Sequence, residues 1–232
     1  MELDNTIIMA ENKVILPYTP TKEYKIEPLE DLPRKPIYEL VKRCFDVVLS
    51  AFLLLLFAIP MFVIGLAVKL TSPGPAFYTQ ERLGKDGKQI KICKFRTMVS
   101  DSEVDTIRWS YDEDPRVTPL GRILRKYHID ELPQLWDIFR GVLSFVGPRP
   151  EREVFYDAFE TYIHGFRERL KVKPGLTGLA QVTGGSFMPP EEKIVCDIEY
   201  IRKRSIWLDV KLIIKTVIVV VLGISFYASY LN

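Results

Sequence analysis

The chain has 232 residues and a mass of 26.8 kDa, and it is 47% hydrophobic and 27% charged, which excludes collagen-like and wholly disordered classes. Lys and Arg number 32 against 30 Asp and Glu; a net charge of +2 is no polyelectrolyte signature and lends no support to nucleic acid as a partner. Three cysteines without a C-x-x-C, and only two histidines, argue against a disulfide framework, a thiolate zinc site or a multi-His metal centre, and fit a reducing compartment.

Residues 1–37 hold five of the sixteen prolines among Lys, Glu and Asp, without a long apolar run. They read as a flexible, extended arm. Val47 to Val68 follows with 22 uncharged residues, 19 of them apolar. As a helix it would be ~33 Å long, about the thickness of a bilayer core, so the lipid bilayer is an expected partner. Pro60 removes a backbone hydrogen bond inside it and predicts a kink. Arg34, Lys35, Lys42 and Arg43 precede it, and Lys69, Arg82, Lys85 and Lys88 follow it. That balance is what a re-entrant hairpin with both ends cytoplasmic gives, and equally what an ambiguous single span gives.

Ala76–Leu83 and Lys88–Met98 read as strands around the Gly84–Gly87 turn. Residues 82–96 carry six basic side chains against one acid, which suits anionic lipid head groups or phosphate-bearing ligands. Residues 101–114 read as an acidic loop; Asp112-Glu113-Asp114 there matches, weakly, the D-x-D pattern of nucleotide-sugar glycosyltransferases. Leu120, Ile123, Leu124 and Tyr127 are spaced as one face of a short basic amphipathic helix that can lie on a membrane surface. A second helix is expected with Asp130 as N-cap, Pro133 in its first turn, Leu132, Leu135, Trp136 and Phe139 as its apolar stripe, and Gly141 ending it. Thr216 to Asn232 carries no charged side chain over 17 residues, and reads as an interfacial or membrane-packed tail.

Chemistry concentrates in two places. Asp130 and Glu131 are adjacent carboxylates at an expected helix N-terminus. Neighbours i and i+1 do not face each other, so the two address different partners. The helix dipole favours an ionised Asp130 and attracts phosphate. An ionised Asp can attack phosphorus, and a carboxylate beside it can hold Mg²⁺. Taken alone, the pair is also an ordinary N-cap followed by a first-turn acid. In Gly147-Pro148-Arg149-Pro150-Glu151 the flanking prolines restrict the backbone and pre-place a guanidinium fork suited to phosphate or carboxylate. Lys173–Gly185 is punctuated by glycine but contains neither nucleotide-loop pattern, G-x-x-x-x-G-K-S/T or G-x-G-x-x-G.

Taken together, the chain resembles the monotopic phosphoglycosyl transferases, bacterial sugar transferases that start glycan assembly on polyprenyl phosphate. The matching elements run in family order: Lys42-Arg43-Cys44-Phe45-Asp46, Thr71-Ser72-Pro73-Gly74-Pro75, Gln80-Glu81-Arg82-Leu83-Gly84 and Lys94-Phe95-Arg96-Thr97-Met98. Asp114-Pro115-Arg116-Val117-Thr118, Asp130-Glu131-Leu132-Pro133-Gln134-Leu135 and Ser144–Glu151 follow, then Lys173–Val182 and Asp197-Ile198-Glu199-Tyr200-Ile201. They cover about residues 38–215.

The resemblance implies a monotopic, membrane-associated α/β fold. It would be mainly helical, with a proline-kinked re-entrant membrane helix, amphipathic interfacial helices and a small β-hairpin. It divides the chain into the arm (1–37), the re-entrant helix (38–70), a catalytic domain on the cytoplasmic face (71–215) and the apolar tail (216–232), a minimal catalytic form at the bacterial cytoplasmic membrane. It implies that Asp130 attacks the sugar-bearing phosphate of a UDP-sugar and releases UMP. Polyprenyl (undecaprenyl) phosphate then takes the phosphosugar from the aspartyl intermediate, the first membrane step of exopolysaccharide, capsule, O-antigen or glycoprotein assembly. Glu131 would help to bind Mg²⁺. By family position Lys94, Arg125 and Arg149 are phosphate contacts, with Arg96, Gln181 and Asp197 expected in the same cleft. A homodimer and downstream glycosyltransferases are the protein partners it admits. The sequence departs from the family in three places. Ile59-Pro60 stands where Ser-Pro is frequent, Thr183-Gly184-Gly185 where many members have Asn-Gly-Arg, and His128, expected to tune the site, where Ser or Thr is common. Two other readings make different predictions: a metal-dependent glycosyltransferase using the acidic loop would release UDP, and a non-catalytic module binding anionic lipid would be indifferent to Asp130→Asn.

Overall fold

The computed structural model describes residues 7–9, 14–16, 22–30, 32–99, 107–108, 115–185 and 188–222. Asp112-Glu113-Asp114 and the tail beyond residue 222 lie outside the described residues. The architecture is mostly helical with a few small strands.

Strands β1 (Ile7–Met9) and β2 (Val14–Leu16) pair antiparallel, and β3 (Tyr24–Lys25) pairs parallel with a strand far along the chain at Ile163–His164. Residues 22–30 and 32–35 are extended, as their prolines require, but they are docked on the body. Leu29 is buried, its N–H donates to Glu168 Oε2 at 2.6 Å, and Lys171 Nζ donates to its carbonyl at 3.0 Å. Proline forbids helix here, but it leaves an extended chain free to pair at an edge and to bury an apolar side chain. Over these described residues the arm is extended and docked.

Helix α1 (Pro36–Leu56) starts on a proline, whose fixed φ suits a first turn, and α2 (Ala58–Thr71) follows after a 63° bend. The break falls at Phe57 rather than at Pro60. Pro60 has no N–H for the Leu56 carbonyl and its ring crowds that carbonyl, so the disruption is felt about a turn earlier. Among the described residues no single helix is long and apolar enough to cross a membrane, but the bent pair meets that test together. Val48, Phe52, Leu55, Ile59, Phe62 and Leu70 are exposed along it. On the inward side of α1 Leu49, Leu53 and Leu54 pack against the core and Asp46 is buried, accepting from the Phe145 N–H at 3.1 Å and Ser144 Oγ at 3.2 Å.

Strands β4 (Phe77–Leu83) and β5 (Gln89–Phe95) form the expected hairpin, with Phe77 opposite Phe95 and Tyr78 opposite Lys94. Asp86 and Gly87 take positive φ in its turn. Leu83 and Ile92, on opposite faces of the hairpin, are both buried in the core, each burial stabilising by about 1.5–3 kcal/mol. Strand β6 (Ile107–Arg108) pairs parallel with β2. Helix α3 (Pro119–Lys126) is capped by Thr118 Oγ1, which accepts from the Gly121 N–H at 3.0 Å. Its Leu124 is buried while Ile123 and Tyr127 face outward.

Helix α4 (Gln134–Arg140) differs from its expected start. His128 takes a left-handed conformation (φ 54°), Ile129–Glu131 form a 3-10 turn, and α4 begins only after Pro133. Asp130 therefore lies inside the turn and does not cap the helix. Gly141 ends α4 at φ 85°, as expected, and Arg43 of α1 donates to the terminal carbonyls of Ile138 and Phe139 at 2.8 and 2.7 Å.

Strand β7 (Ser144–Val146) leads to α5 (Glu153–Glu160), β8 (Ile163–His164), β9 (Gly175–Thr177), α6 (Leu179–Gly184), α7 (Pro190–Lys203) and α8 (Ile206–Leu222). β7 and β9 pair parallel, Ser144 with Gly175 and Val146 with Thr177, which sets the Pro-Arg-Pro loop beside the glycine-rich segment. The backbones touch there. A Cβ on Gly175 would lie 2.1 Å from the Gly147 nitrogen. Gly175→Ala should therefore separate the pair and cost about 1–3 kcal/mol, read as a lowered unfolding midpoint in detergent; an unchanged midpoint would show that the strands yield freely.

The expected tail boundary at residue 216 falls inside α8. That helix starts ten residues earlier because Asp209 and Leu212 are buried against the body. Asp209 accepts from Lys42 Nζ, Tyr38 Oη and Tyr200 Oη at 2.7–2.9 Å, and Thr216 Oγ1 meets Thr177 Oγ1 at 2.6 Å. The main core lies among α4, α5, α6 and α7 with β4 and β5.

Candidate active site

Three elements meet at the acid pair. The left-handed turn at His128 reverses the chain after α3, and the 3-10 turn then buries both Asp130 and Glu131. Lys94 arrives near the end of β5 and donates from Nζ to Glu131 Oε1 at 2.6 Å. Arg149 arrives from the loop after β7; its Nη1 donates to Glu131 Oε2 at 3.3 Å and its Nη2 to Oε1, a two-pronged clamp. Arg125, at the end of α3, donates from Nε to Thr97 Oγ1 at 2.9 Å and adds its charge to the field at Asp130.

These charges drive the two carboxyls apart. Burial pushes Glu131 up, but Arg149 and Lys94, by charge and by hydrogen bond, outweigh it and hold the group well below the usual carboxylate range. Asp130 goes the other way. Its burial, reinforced by the negative charge of Glu131, outweighs Lys94, Arg125 and Arg149 and raises it above the usual range. Glu131 raises Arg149 further, while burial lowers Lys94. A fixed anion thus sits beside a more basic carboxyl, the division of environments by which adjacent acids take different roles.

The structure brings together Asp130, Glu131, Lys94, Arg149 and Arg125. It does not bring Arg96 to them. β5 ends at Phe95, so strand alternation no longer sets Arg96 on the Lys94 face. Its buried guanidinium turns back to cap the end of α2, donating to the carbonyls of Pro73 and Ser72 at 2.7 and 2.8 Å and to Ser72 Oγ at 2.8 Å. Asp197 is also displaced: it sits on α7 behind the Arg149 loop, 2.6 Å from Arg169. Gln181 lies on α6, its buried amide atoms without a hydrogen bond and its Oε1 over Gly178. Thr97 and Arg169 were not among the sequence candidates. Thr97 adjoins Arg96 in a motif dominated by its charges; Arg169 has no local signal, because its target is a backbone carbonyl 20 residues away.

The donor set suits Mg²⁺ only in a shared shell. Among the described residues no three His, Cys, Asp or Glu side chains gather as a metal cage. Asp130 and Glu131 do offer hard oxygens in the number that Mg²⁺ takes when phosphates and water complete its coordination.

A buried acid pair under converging basic side chains, beside a bent apolar helix pair, is an arrangement for meeting anionic groups. Residues 37–223 match the bacterial sugar transferase family, and the chain belongs to that family. It is similar to UDP-glucose:undecaprenyl-phosphate glucose-1-phosphate transferase of Escherichia coli, 41% identical over 197 residues, 83% of this chain and 42% of that protein. It is also similar to UDP-N-acetylgalactosamine-undecaprenyl-phosphate N-acetylgalactosaminephosphotransferase of Aeromonas hydrophila, 38% identical over 84% of this chain and 47% of that protein. Exopolysaccharide production protein ExoY of Rhizobium meliloti is 36% identical over 83% of this chain and 91% of its own length. The chain spans about half the length of the first two of these relatives.

Proposed function

We propose that the chain transfers a sugar 1-phosphate from a UDP-sugar to polyprenyl phosphate and releases UMP, as an early membrane step in exopolysaccharide or related glycan assembly. The observation that carries this reading is the buried Asp130–Glu131 pair, with only Glu131 clamped by Lys94 and Arg149. An acid spent on two cations is a poor nucleophile, and an acid kept more basic by burial is a good one. Asp130 therefore attacks the phosphorus that bears the sugar. A bond forms from its carboxylate oxygen to phosphorus as the bond to the bridging oxygen breaks, and UMP leaves with that electron pair. An oxygen of polyprenyl phosphate then attacks the same phosphorus and returns the Asp130 carboxylate.

Lys94, Arg125 and Arg149 offset the charge that gathers when anion meets anion. Glu131 would hold Mg²⁺, which when bound neutralises diphosphate oxygens. The raised Asp130 carboxyl sets the pH dependence. The reacting form is the anion, so kcat/KM is full above the Asp130 pKa and falls as pH drops through it, at higher pH than for an ordinary carboxylate. A pH profile with its acid limb in the ordinary range of about 4 would contradict this.

The reaction needs the cleft at head-group depth on the side where UDP-sugar arrives. A 63° bend between two helices of 21 and 14 residues suits a segment that enters and leaves on the cytoplasmic face. With Cys44 replaced by Ser, cysteines at exposed positions 39 and 71 should both resist a membrane-impermeant maleimide applied outside spheroplasts, and both react once the membrane is opened. Outside labelling of one alone would mean a crossing helix. The proposed reaction is tested by product: with polyprenyl phosphate and a panel of UDP-sugars, UMP should accumulate. UDP instead would favour the glycosyltransferase reading.

A further inference from the structure

We propose that Arg169, held by Asp197, is a positioning residue that sets where Arg149 points; this rests on the role given to Arg149 above. Pro148 and Pro150 have no N–H, so at those residues the loop can be anchored only through its carbonyls. Four consecutive carbonyls are in fact held. Pro148 accepts from the Gly175 N–H at 3.0 Å, Arg149 from Arg169 Nη2 at 2.9 Å, Pro150 from Arg82 Nη1 at 3.4 Å and Glu151 from the Leu83 N–H at 3.0 Å. The carbonyl of Arg149 itself is the one given to a wholly buried charge.

Arg169 has a side-chain exposure of 0%, sits 2.6 Å from Asp197 Oδ2, and lies over the rings of Phe166 and Tyr156 at 5.0 and 5.7 Å. Next to it, Glu151 bonds Lys193 Nζ at 3.0 Å and Arg82 Nη1 at 3.1 Å. Burial pushes the Glu151 carboxyl up, but Lys193, Arg82 and Arg169 draw it down to about 2, so Glu151 stays ionised. A buried ion pair returns little net stability compared with apolar side chains of equal volume. What apolar side chains cannot do is fix a carbonyl at one point. Arg169 is missing from the reacting centre, yet it holds the main chain of the residue that clamps Glu131.

The test uses the full chain in nanodiscs. Acting through Arg149, Asp197→Asn should lower kcat by roughly 10- to 100-fold, with little change in KM for the UDP-sugar. In an Arg149→Ala background the same substitution should cost nothing more. Arg169→Lys, which keeps the charge but shortens the reach, should fall between, and takes the place of Asp197→Asn if that variant does not fold. A role confined to the core predicts the same loss in both backgrounds and would overturn the proposal. The second readout needs no turnover. The Arg149 Nε–H resonance, assigned by its disappearance in Arg149→Ala, should shift or broaden in Asp197→Asn. An unmoved resonance would overturn the positioning role even with activity lost. Should the wild type release no UMP, the proposed reaction fails, and the resonance still decides the positioning.

Discussion

Asp130→Asn should abolish UMP release, by at least about 10³-fold, while leaving the fold intact or slightly more stable. The loss of rate follows from chemistry: an amide of the same shape offers no anionic oxygen to phosphorus, and removing a nucleophile is among the costliest single changes in an enzyme. The stability follows from the sign of the pKa shift. A carboxyl raised by burial is one whose ionised form the folded state disfavours, so above that pKa the charge at position 130 weakens folding, and a neutral isostere removes the cost. Activity and stability are thus expected to move in opposite directions, as they do where a site is strained for function. The measurement pairs UMP release with the thermal midpoint. Retained release would remove Asp130 from the role of nucleophile, and a collapsed midpoint would make it a structural acid.

The second large effect is expected at Arg149. Arg149→Ala should lower kcat by about 10²- to 10³-fold, the range for loss of one preorganised charged donor. Lys should restore little of it, because a point charge cannot make both contacts to Glu131. The same variant should move a titration. Arg149 is the largest influence holding Glu131 down; without it burial raises that group, so Glu131 protonates at a higher pH than in the wild type. Arg149 also draws the Asp130 carboxyl down, so its loss should move the Asp130 acid limb upward in Arg149→Ala. A limb that stays in place would mean that Lys94 and Arg125 set the Asp130 carboxyl without Arg149.

Much of this arrangement was legible in the sequence because it rests on local rules. The hairpin turn is written in Gly84–Gly87, the end of α4 in Gly141, and the bend in Pro60, although the break appears at Phe57 because proline disturbs the turn before it. Asp130, Glu131, Lys94 and Arg149 each lie in one of the ordered family motifs. Their contact was not legible: the Lys94–Glu131 bond joins residues 37 apart and depends on how β5 meets the turn after His128.

Where local reasoning failed, a tertiary contact had overridden a local pattern. Arg96 shares a motif with Lys94, yet the strand stops between them and the guanidinium is drawn to the open carbonyls of α2. Asp197 was expected among substrate contacts and is instead spent on Arg169. Residues 22–35 looked like linker by composition, but Leu29 has a place in the core. The charge-free tract begins only at Thr216, whereas the helix begins at Ile206, because Tyr38, Lys42 and Tyr200 compensate the burial of Asp209.

The most direct test of the central claim is the intact mass of the nanodisc-held protein after incubation with Mg²⁺ and UDP-sugars, without polyprenyl phosphate. A transfer that passes through Asp130 predicts a gain equal to one phosphosugar, absent from Asp130→Asn and discharged when polyprenyl phosphate is added. A wild-type enzyme that turns over with acceptor present, shows no adduct on rapid quenching, and keeps that turnover as Asp130→Asn would contradict it.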